Sequence, residues 1–300
     1  MVDILMAVYN GGDFLKKQLD SVLAQDYGDI RLIICDDCSD DGSRAVIETY
    51  KNRFPDRISL VFNDRNIGVK NNFFKLMKMS SAEYVMFCDQ DDIWDKDKVS
   101  RTLSFMKENE YGGPLLVHTD LRVIDENDKV TAASFNEMQA IDPFDNGLNV
   151  LLVQNTVTGC TAMINRVLAD IVKRPKCKTL HDWWLALTAA AFGRIAYLPE
   201  ATMGYRRHSQ NLRGARSMKS AKYILGRAAD KSDAKTMIKL GYAQSKEFCE
   251  LYKDDFKDRG MLEAYGACLE KGKIGRIKTV IKYKILKQGL IRRIGQFIYM

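Results

Sequence analysis

Three short apolar runs, Ile4-Leu5-Met6-Ala7-Val8, Leu32-Ile33-Ile34-Cys35 and Tyr84-Val85-Met86-Phe87, each end abruptly in a polar turn and give way to a helical pattern. The apolar positions that follow them (Phe14, Leu15, Leu19, Val22 and Leu23; the stretch 45–50; Val99, Leu103 and Met106) recur at helical spacing. Strands alternating with helices predict an α/β chain built on a mostly parallel, Rossmann-like central sheet. Further strands are expected at Ile58–Phe62, 115–117, 161–164 and 194–198, with the polar, turn-rich segment 119–149 leaving the sheet.

What ends the three runs bears most on function. Tyr9-Asn10-Gly11-Gly12 is a turn signal, Asp36-Asp37-Cys38-Ser39-Asp40-Asp41-Gly42 is acidic, and Cys88-Asp89-Gln90-Asp91-Asp92 packs three carboxylates into four residues. Ligands of such sheets lie beyond the carboxyl ends of the strands, so the three turns converge on one binding edge. Carboxylates crowded at the end of a buried strand resist desolvation unless a divalent cation or a hydrogen-bonding ligand neutralises them. The 89–92 turn is therefore a candidate metal site. The same residue types also serve as solvated loops and helix caps, with Asp92 or Asp95 placed to cap the helix through Val99.

With 300 residues and 46% hydrophobic content the chain buries a sizeable core, and its pattern divides into an α/β domain over 1–215 and a helical region over 216–300. No apolar stretch approaches a membrane span and the start of the chain carries no cationic leader, so a cytoplasmic protein is expected. Seven irregularly spaced cysteines agree with a reducing compartment; Cys35 and Cys38 have the spacing of a metal or redox pair, but no second pair follows. Segment 209–220 lacks periodicity and reads as a mobile basic loop, after which helical spacing resumes through Met237, Leu240, Phe248, Leu251, Tyr252 and Phe256.

The net charge of +7 is local. Nine of the 46 Lys and Arg fall within 271–300, where there is no acid, leaving 37 basic against 39 acidic side chains elsewhere. Ile274, Ile277, Ile281, Ile285, Leu290, Ile294 and Phe297 recur among them at near-helical spacing, which predicts a basic amphipathic helix. It either lies on an anionic membrane surface or packs on its own domain with a solvated basic side. No nucleic-acid-reading motif accompanies the charge, so nucleic acid is not an expected partner.

Taken together, Ala7-Val8-Tyr9-Asn10-Gly11, the 36–42 cluster, Asn66-Ile67-Gly68 and Asp89-Gln90-Asp91-Asp92 follow the order and spacing of the family 2 glycosyltransferases, which about the first 215 residues resemble. The resemblance implies a GT-A fold, a nucleotide-diphospho-sugar donor, inversion at the anomeric carbon and Mg2+ or Mn2+ as cofactor. It implies that Ala7, Tyr9, Asn10 and Asp37 hold the base, Asp37 accepting from a ring N–H, with Asn66 and Gly68 lining the floor. Asp89 would contact the ribose or the metal region and Asp91 would bind the cation; Asp92 is an additional acid to which the pattern assigns no role.

Three later segments extend the resemblance. His181-Asp182-Trp183-Trp184 matches the acceptor-side segment whose aspartate is the general base, implying Asp182 in that role, although the family often has an acid where this chain has His181. Asp182 also suits an N-cap of the helical run 183–192, and Trp183 and Trp184 suit either stacking on a sugar or an ordinary core. Thr158-Gly159-Cys160-Thr161 resembles the glycine-bearing turn of the acceptor pocket. Tyr205-Arg206-Arg207-His208-Ser209-Gln210-Asn211 resembles the closing motif whose histidine completes the metal or diphosphate site, here His208. Arg207 and Arg213 would fold over the diphosphate as a lid, or belong to an exposed basic loop.

This combination looks most like the rhamnosyltransferase-type branch that builds bacterial surface polysaccharides. It implies dTDP-L-rhamnose as donor, with a UDP-sugar as the other candidate, and a saccharide or lipid-linked saccharide acceptor at the inner face of the plasma membrane. The alternative is a catalytically silent nucleotide-sugar or glycan-binding protein of a polysaccharide assembly complex. A sugar nucleotidyltransferase fits less well, because its glycine-rich, arginine-containing loop after the first strand is missing.

Overall fold

The computed structural model describes residues 1–208, 231–255 and 259–300. The expected 209–220 loop, with Arg213, lies outside the described residues, as does Phe256.

The α/β alternation runs in chain order as β1 (Val2–Val8), α1 (Phe14–Leu23), β2 (Ile30–Asp36), α2 (Ser43–Arg53), β3 (Ile58–Phe62), α3 (Val69–Met79) and β4 (Tyr84–Cys88). β1 pairs in parallel with β2 and β4, and β2 with β3. All of β4 is buried, and all of β1 except Ala7. Such strands are covered on both faces, which is why they read as continuous apolar runs rather than alternating ones. The charged residue inside β1, Asp3, is fully buried and satisfied by two bonds from Arg31 (2.9 and 2.7 Å) and one from the Ser80 hydroxyl (2.6 Å).

Beyond β4 the sheet becomes mixed. β5 (Ile93–Trp94), α4 (Lys98–Asn109), β6 (Leu115–Ile124), β7 (Val130–Ala132), β8 (Ala162–Asn165) and β9 (Arg194–Arg206) complete the order β3-β2-β1-β4-β8-β6-β9-β5, with β7 on β6. β8 is antiparallel to β4 and β6, β9 is parallel to β6, and β5 is antiparallel to β9. The parallel expectation therefore holds for the first four strands of that order. Two strands exceed what the sequence suggested. β6 continues to Ile124 through residues expected to leave the sheet, because Leu121 and Val123 find cover while Arg122 pairs with Asp95. β9 runs for 13 residues instead of ending near 198.

The chain divides into two compact units: 1–135, 157–171 and 194–215 form the first, and 136–156, 172–193 and 216–300 the second. The whole sheet belongs to the first. The remaining helices are α5 (Phe135–Gln139), α6 (Leu148–Leu151), α7 (Arg166–Ile171), α8 (His181–Phe192), α9 (Lys231–Leu251), α10 (Gly260–Gly266), α11 (Lys273–Lys282) and α12 (Leu290–Tyr299). In the second unit, Trp184 of α8 lies 5.4 Å from Phe248 of α9, and Phe192 lies 5.0 Å from Tyr252, ring centre to ring centre.

The basic amphipathic tail, expected as one helix, is two. Lys284 (φ 53°) and Gly289 (φ 76°) adopt left-handed backbone between α11 and α12, a conformation that interrupts helical hydrogen bonding. No described helix is long and apolar enough to cross a membrane.

Candidate active site

Three strand-end turns build one side of the first unit's site. After β1 the chain reverses through Asn10, whose φ of 50° suits asparagine better than most side chains. Each N–H of this turn is claimed by a side chain: Tyr9 donates to Gln90 Oε1 (2.8 Å), Asn10 to Ser39 Oγ (3.0 Å), Gly11 to Ser43 Oγ (2.9 Å) and Gly12 to Asp41 Oδ2 (2.9 Å). Gln90 Nε2 returns a bond to the Tyr9 carbonyl (3.0 Å), so its amide clasps the Tyr9 backbone on both sides. Burial alone would raise the Asp41 carboxyl, but bonds from Ser43 and the Gly12 N–H outweigh it and hold the group below its usual range. The Tyr9 ring stays exposed.

Asp37 is buried, and its carboxylate accepts Asn63 Nδ2 (2.8 Å), the Ile67 N–H (2.8 Å) and the Gly68 N–H (2.8 Å). It thereby shapes the Asn66–Ile67–Gly68 turn at the start of α3. Asn66 Oδ1 accepts the same Gly68 N–H (3.0 Å). Gly68 sits at φ 82°, ψ 152°, a region that essentially only glycine occupies.

The acidic turn after β4 is joined to a strand distant in sequence. β5 pairs with β9 in the register Ile93↔Gly204 and Trp94↔Met203, which draws the end of β9 alongside residues 89–92. The Arg206 N–H donates to Asp92 Oδ1 (3.1 Å), and Arg206 Nε donates to the Asp91 carbonyl (2.9 Å). Two residues on, His208 Nε2 lies 2.7 Å from Asp91 Oδ2, with its ring 5.1 Å from that of Phe14. The buried Arg206 guanidinium sits 4.6 Å from the same phenyl ring, bonds the Asp125 carbonyl (3.1 Å) and ion-pairs with Asp128.

Behind this pair lies further charge. One oxygen each of Asp89 and Asp92 and the Cys160 sulfur lie within 4.8 Å of one another. Burial, then the charges of Asp91 and Asp89, push the Asp92 carboxyl well above its usual range. Burial, then Asp92 and Asp89, push the Cys160 thiol up as well, so the sulfur keeps its proton. Lys98 is fully buried, with Nζ 3.1 Å from Thr202 Oγ1 and 4.9 Å from the Trp94 ring centre. Burial lowers it to about 8, opposed by neighbouring acidic groups.

These facts correct one expectation. Neither Asp92 nor Asp95 caps α4: its N-cap is Asp97, while Asp92 meets Arg206 and Asp95 ion-pairs with Arg122. The donor set does fit a hard divalent cation. Asp91 and His208 face each other, whereas the three donor atoms that lie within 4.8 Å of one another belong to Asp89, Asp92 and Cys160.

The other expected residues are placed as follows. Ala7 is half-buried near the end of β1, and Gly159 opens the buried 3-10 turn Gly159–Thr161. Arg207 is exposed, its N–H bonded to the Ile124 carbonyl (2.9 Å). Asp182, Trp183 and Trp184 belong to the second unit. Asp182 is not the N-cap of α8, a position held by Leu180, but lies in its first turn, where a negative charge is favoured. It accepts a bond from Asn155 Nδ2 (3.2 Å). The stacking role considered for Trp183 and Trp184 gives way to core packing. Both are buried, and their indole N–H groups are taken by the carbonyls of Leu151 and Lys173.

Residues 3–170 match the profile of glycosyl transferase family 2. The chain belongs to that family. One relative, the putative teichuronic acid biosynthesis glycosyltransferase TuaG of Bacillus subtilis (strain 168), is 30% identical over 199 residues, 64% of this chain and 73% of that protein. The dTDP-rhamnosyl transferase RfbG of Shigella flexneri is 28% identical over 252 residues, 79% of this chain and 84% of that protein. Among solved structures, S. aureus TarS 1–349 in complex with UDP aligns with a TM-score of 0.60 at 15% identity, covering 99% of this chain and 88% of that one. The mannosyltransferase PcManGT of Pyrobaculum calidifontis, in complex with GDP-Man and Mn2+, aligns at 0.54 and 16% identity, covering 95% and 84%. At such identities the structural likeness establishes the fold, which is of GT-A type.

In this glycosyltransferase several residues around the site escaped sequence reading. Gln90 has no assigned role in the acidic turn, yet its amide ties two turns together. Lys98 falls in no sequence motif and Arg206 has no assigned role in its motif, yet both are fully buried. The available signal was weak: each adjoins a short apolar or aromatic segment, and only pairing in space reveals that it points inward.

Proposed function

We propose that this glycosyltransferase moves a hexose from a nucleoside diphosphate to a saccharide or lipid-linked saccharide acceptor, inverting the anomeric centre, in bacterial surface-polysaccharide synthesis at the inner membrane face. The observation that carries the reading is the Asp91–His208 pair, formed where the ends of β4 and β9 meet. Mg2+ or Mn2+ held by Asp91 and His208 would offset the charge of the diphosphate and make it a competent leaving group. Asp89, in the same turn, suits the ribose hydroxyls. The Tyr9–Asn10 turn and the Asn66–Gly68 turn would line the base, each held rigid by the side chains described above. Asp37 has three protein donors on a carboxylate with roughly four acceptor positions, which leaves it one for a ring N–H. Asp182 is assigned the base from its place in the family pattern: it takes the proton of the attacking hydroxyl.

The relative named as a dTDP-rhamnosyl transferase supports dTDP-L-rhamnose as the donor, and the TarS complex with UDP keeps a UDP-sugar as the alternative. A thermal-shift panel of dTDP, UDP and GDP with Mn2+ or EDTA tests the site. Stabilisation that requires the metal, and is greatest with dTDP, is expected. Stabilisation indifferent to metal would remove the cation from the mechanism, and binding without turnover of any donor sugar would favour a silent binding protein.

A further inference from the structure

We infer that α11 and α12 form a preassembled docking platform for an anionic lipid bilayer, in which aliphatic side chains enter the leaflet and lysines meet the headgroups. The inference deepens the membrane-face placement proposed above and rests on it, but not on the transfer chemistry.

Six aliphatic side chains on these helices, Ile274, Ile281, Leu290, Ile291, Ile294 and Ile298, are between 49% and 74% exposed. They are not scattered. Leu290, Ile294 and Ile298 recur every four residues on one stripe of α12, with Ile291 beside them, and Ile274 and Ile281 stand seven apart on one face of α11. The two helices approach each other at one end, where Lys273 Nζ donates to the Ile298 carbonyl (3.2 Å). Lys273, Lys278, Lys282, Lys284 and Arg293 are exposed among them, and 271–300 contains no acid.

The opposite faces are already satisfied, so the exposed side chains are not an unfinished core. Val280, Ile285, Gln296 and Met300 are buried, and Gln296 Nε2 bonds the Ile285 carbonyl (2.8 Å). The loop between the helices is anchored by Gln288, which accepts the Asp142 N–H (2.9 Å) and donates to the carbonyls of Asp142 (2.8 Å) and Asp145 (2.9 Å). Gln288 N–H also bonds Gln154, the neighbour of the Asn155 that donates to Asp182. Docking would therefore hold the acceptor-side acid of this unit near a surface from which a lipid-linked saccharide projects.

Charge selects the occupant. Two helices with five exposed cations and no acid repel a second copy of themselves, whereas apolar side chains flanked by cations complement acyl chains beneath anionic headgroups.

The test is co-sedimentation of the full chain with phosphatidylcholine vesicles and with vesicles containing phosphatidylglycerol, in the absence of donor and acceptor. The protein is expected to pellet with the anionic vesicles and to be released by salt. The double variant Ile294→Asp/Ile298→Asp should lose about tenfold or more of its partitioning, and Lys278→Gln/Lys282→Gln should lose the preference for phosphatidylglycerol. Wild-type protein that stays in the supernatant with both vesicles, or aspartate variants that pellet equally well, would overturn the inference. A wild-type dimer in sedimentation velocity that the aspartate variant converts to monomer, without vesicle binding, would overturn it in favour of self-association. Nucleotide-induced thermal shifts, measured alongside, report folding of the variants. If they are absent in wild type while vesicle binding persists, the transfer reading fails and the docking inference stands.

Discussion

His208 Nε2 stands 2.7 Å from Asp91 Oδ2 although 117 residues separate the two in the chain. The contact depends on β5, only Ile93–Trp94, pairing antiparallel with β9 and carrying Arg206 and His208 to the acidic turn. The proposed metal binding would thus report on the integrity of that pairing.

Asp91→Ala removes the proposed ligand without altering the strand that presents it. The nucleotide stabilisation in Mn2+, about 2.7 kcal/mol at a concentration 100-fold above Kd, should fall to its level in EDTA. His208→Ala should reduce it. Thermal denaturation in Mn2+ and in EDTA measures both, and an unchanged metal response in either variant excludes that residue from the site.

Asp182→Asn keeps the shape and one accepting oxygen, for the bond from either Asn155 or the Trp183 N–H, while removing a proton acceptor. Transfer should fall by roughly 10²–10⁴ with the donor Kd unchanged. Near-normal transfer would reduce Asp182 to a helix-stabilising charge in the first turn of α8.

Gly68→Ala forces a β-carbon into backbone at φ 82°, ψ 152°. A cost of about 1–3 kcal/mol is expected, with weaker nucleotide binding as the Gly68 N–H leaves Asp37. Urea unfolding and nucleotide titration of the same variant check the two effects; wild-type values in both would show that the turn tolerates another backbone.

Trp184→Ala should destabilise by about 3–5 kcal/mol, as truncation of a buried aromatic does, and Trp184→Phe by less. If the ring instead served a sugar, acceptor affinity would fall while the urea midpoint stayed put.

Burial lowers His118 and His181 from 6.5 to about 3. Between those values the unfolded chain binds more protons than the folded one, so stability rises with pH across that window and is fully present above about 6.5. Acidification from neutrality should therefore lower the melting temperature steadily. His118→Phe, which can retain ring packing on Tyr197, should flatten the profile. An equally steep profile in that variant would place the acid sensitivity elsewhere.

The sequence by itself determined the features that need only neighbours along the chain. β1, β2 and β4 were legible because a buried parallel strand is a continuous apolar run, and their polar turns mark where the sheet ends. The acidic turn, the Asn66–Gly68 turn and the motif around His208 were legible for the same reason: each is a local string of residues. Tertiary structure alone decided what depends on partners in space. It extended β6 and β9, because a strand continues as long as a neighbour satisfies its backbone and covers its side chains. It turned Trp183 and Trp184 inward, since an indole beside a polar residue has the same sequence signature whether carbonyls or solvent receive its N–H. It also divided the basic tail into two helices, where left-handed backbone at Lys284 and Gly289 lets Gln288 reach three backbone groups that no helical periodicity encodes.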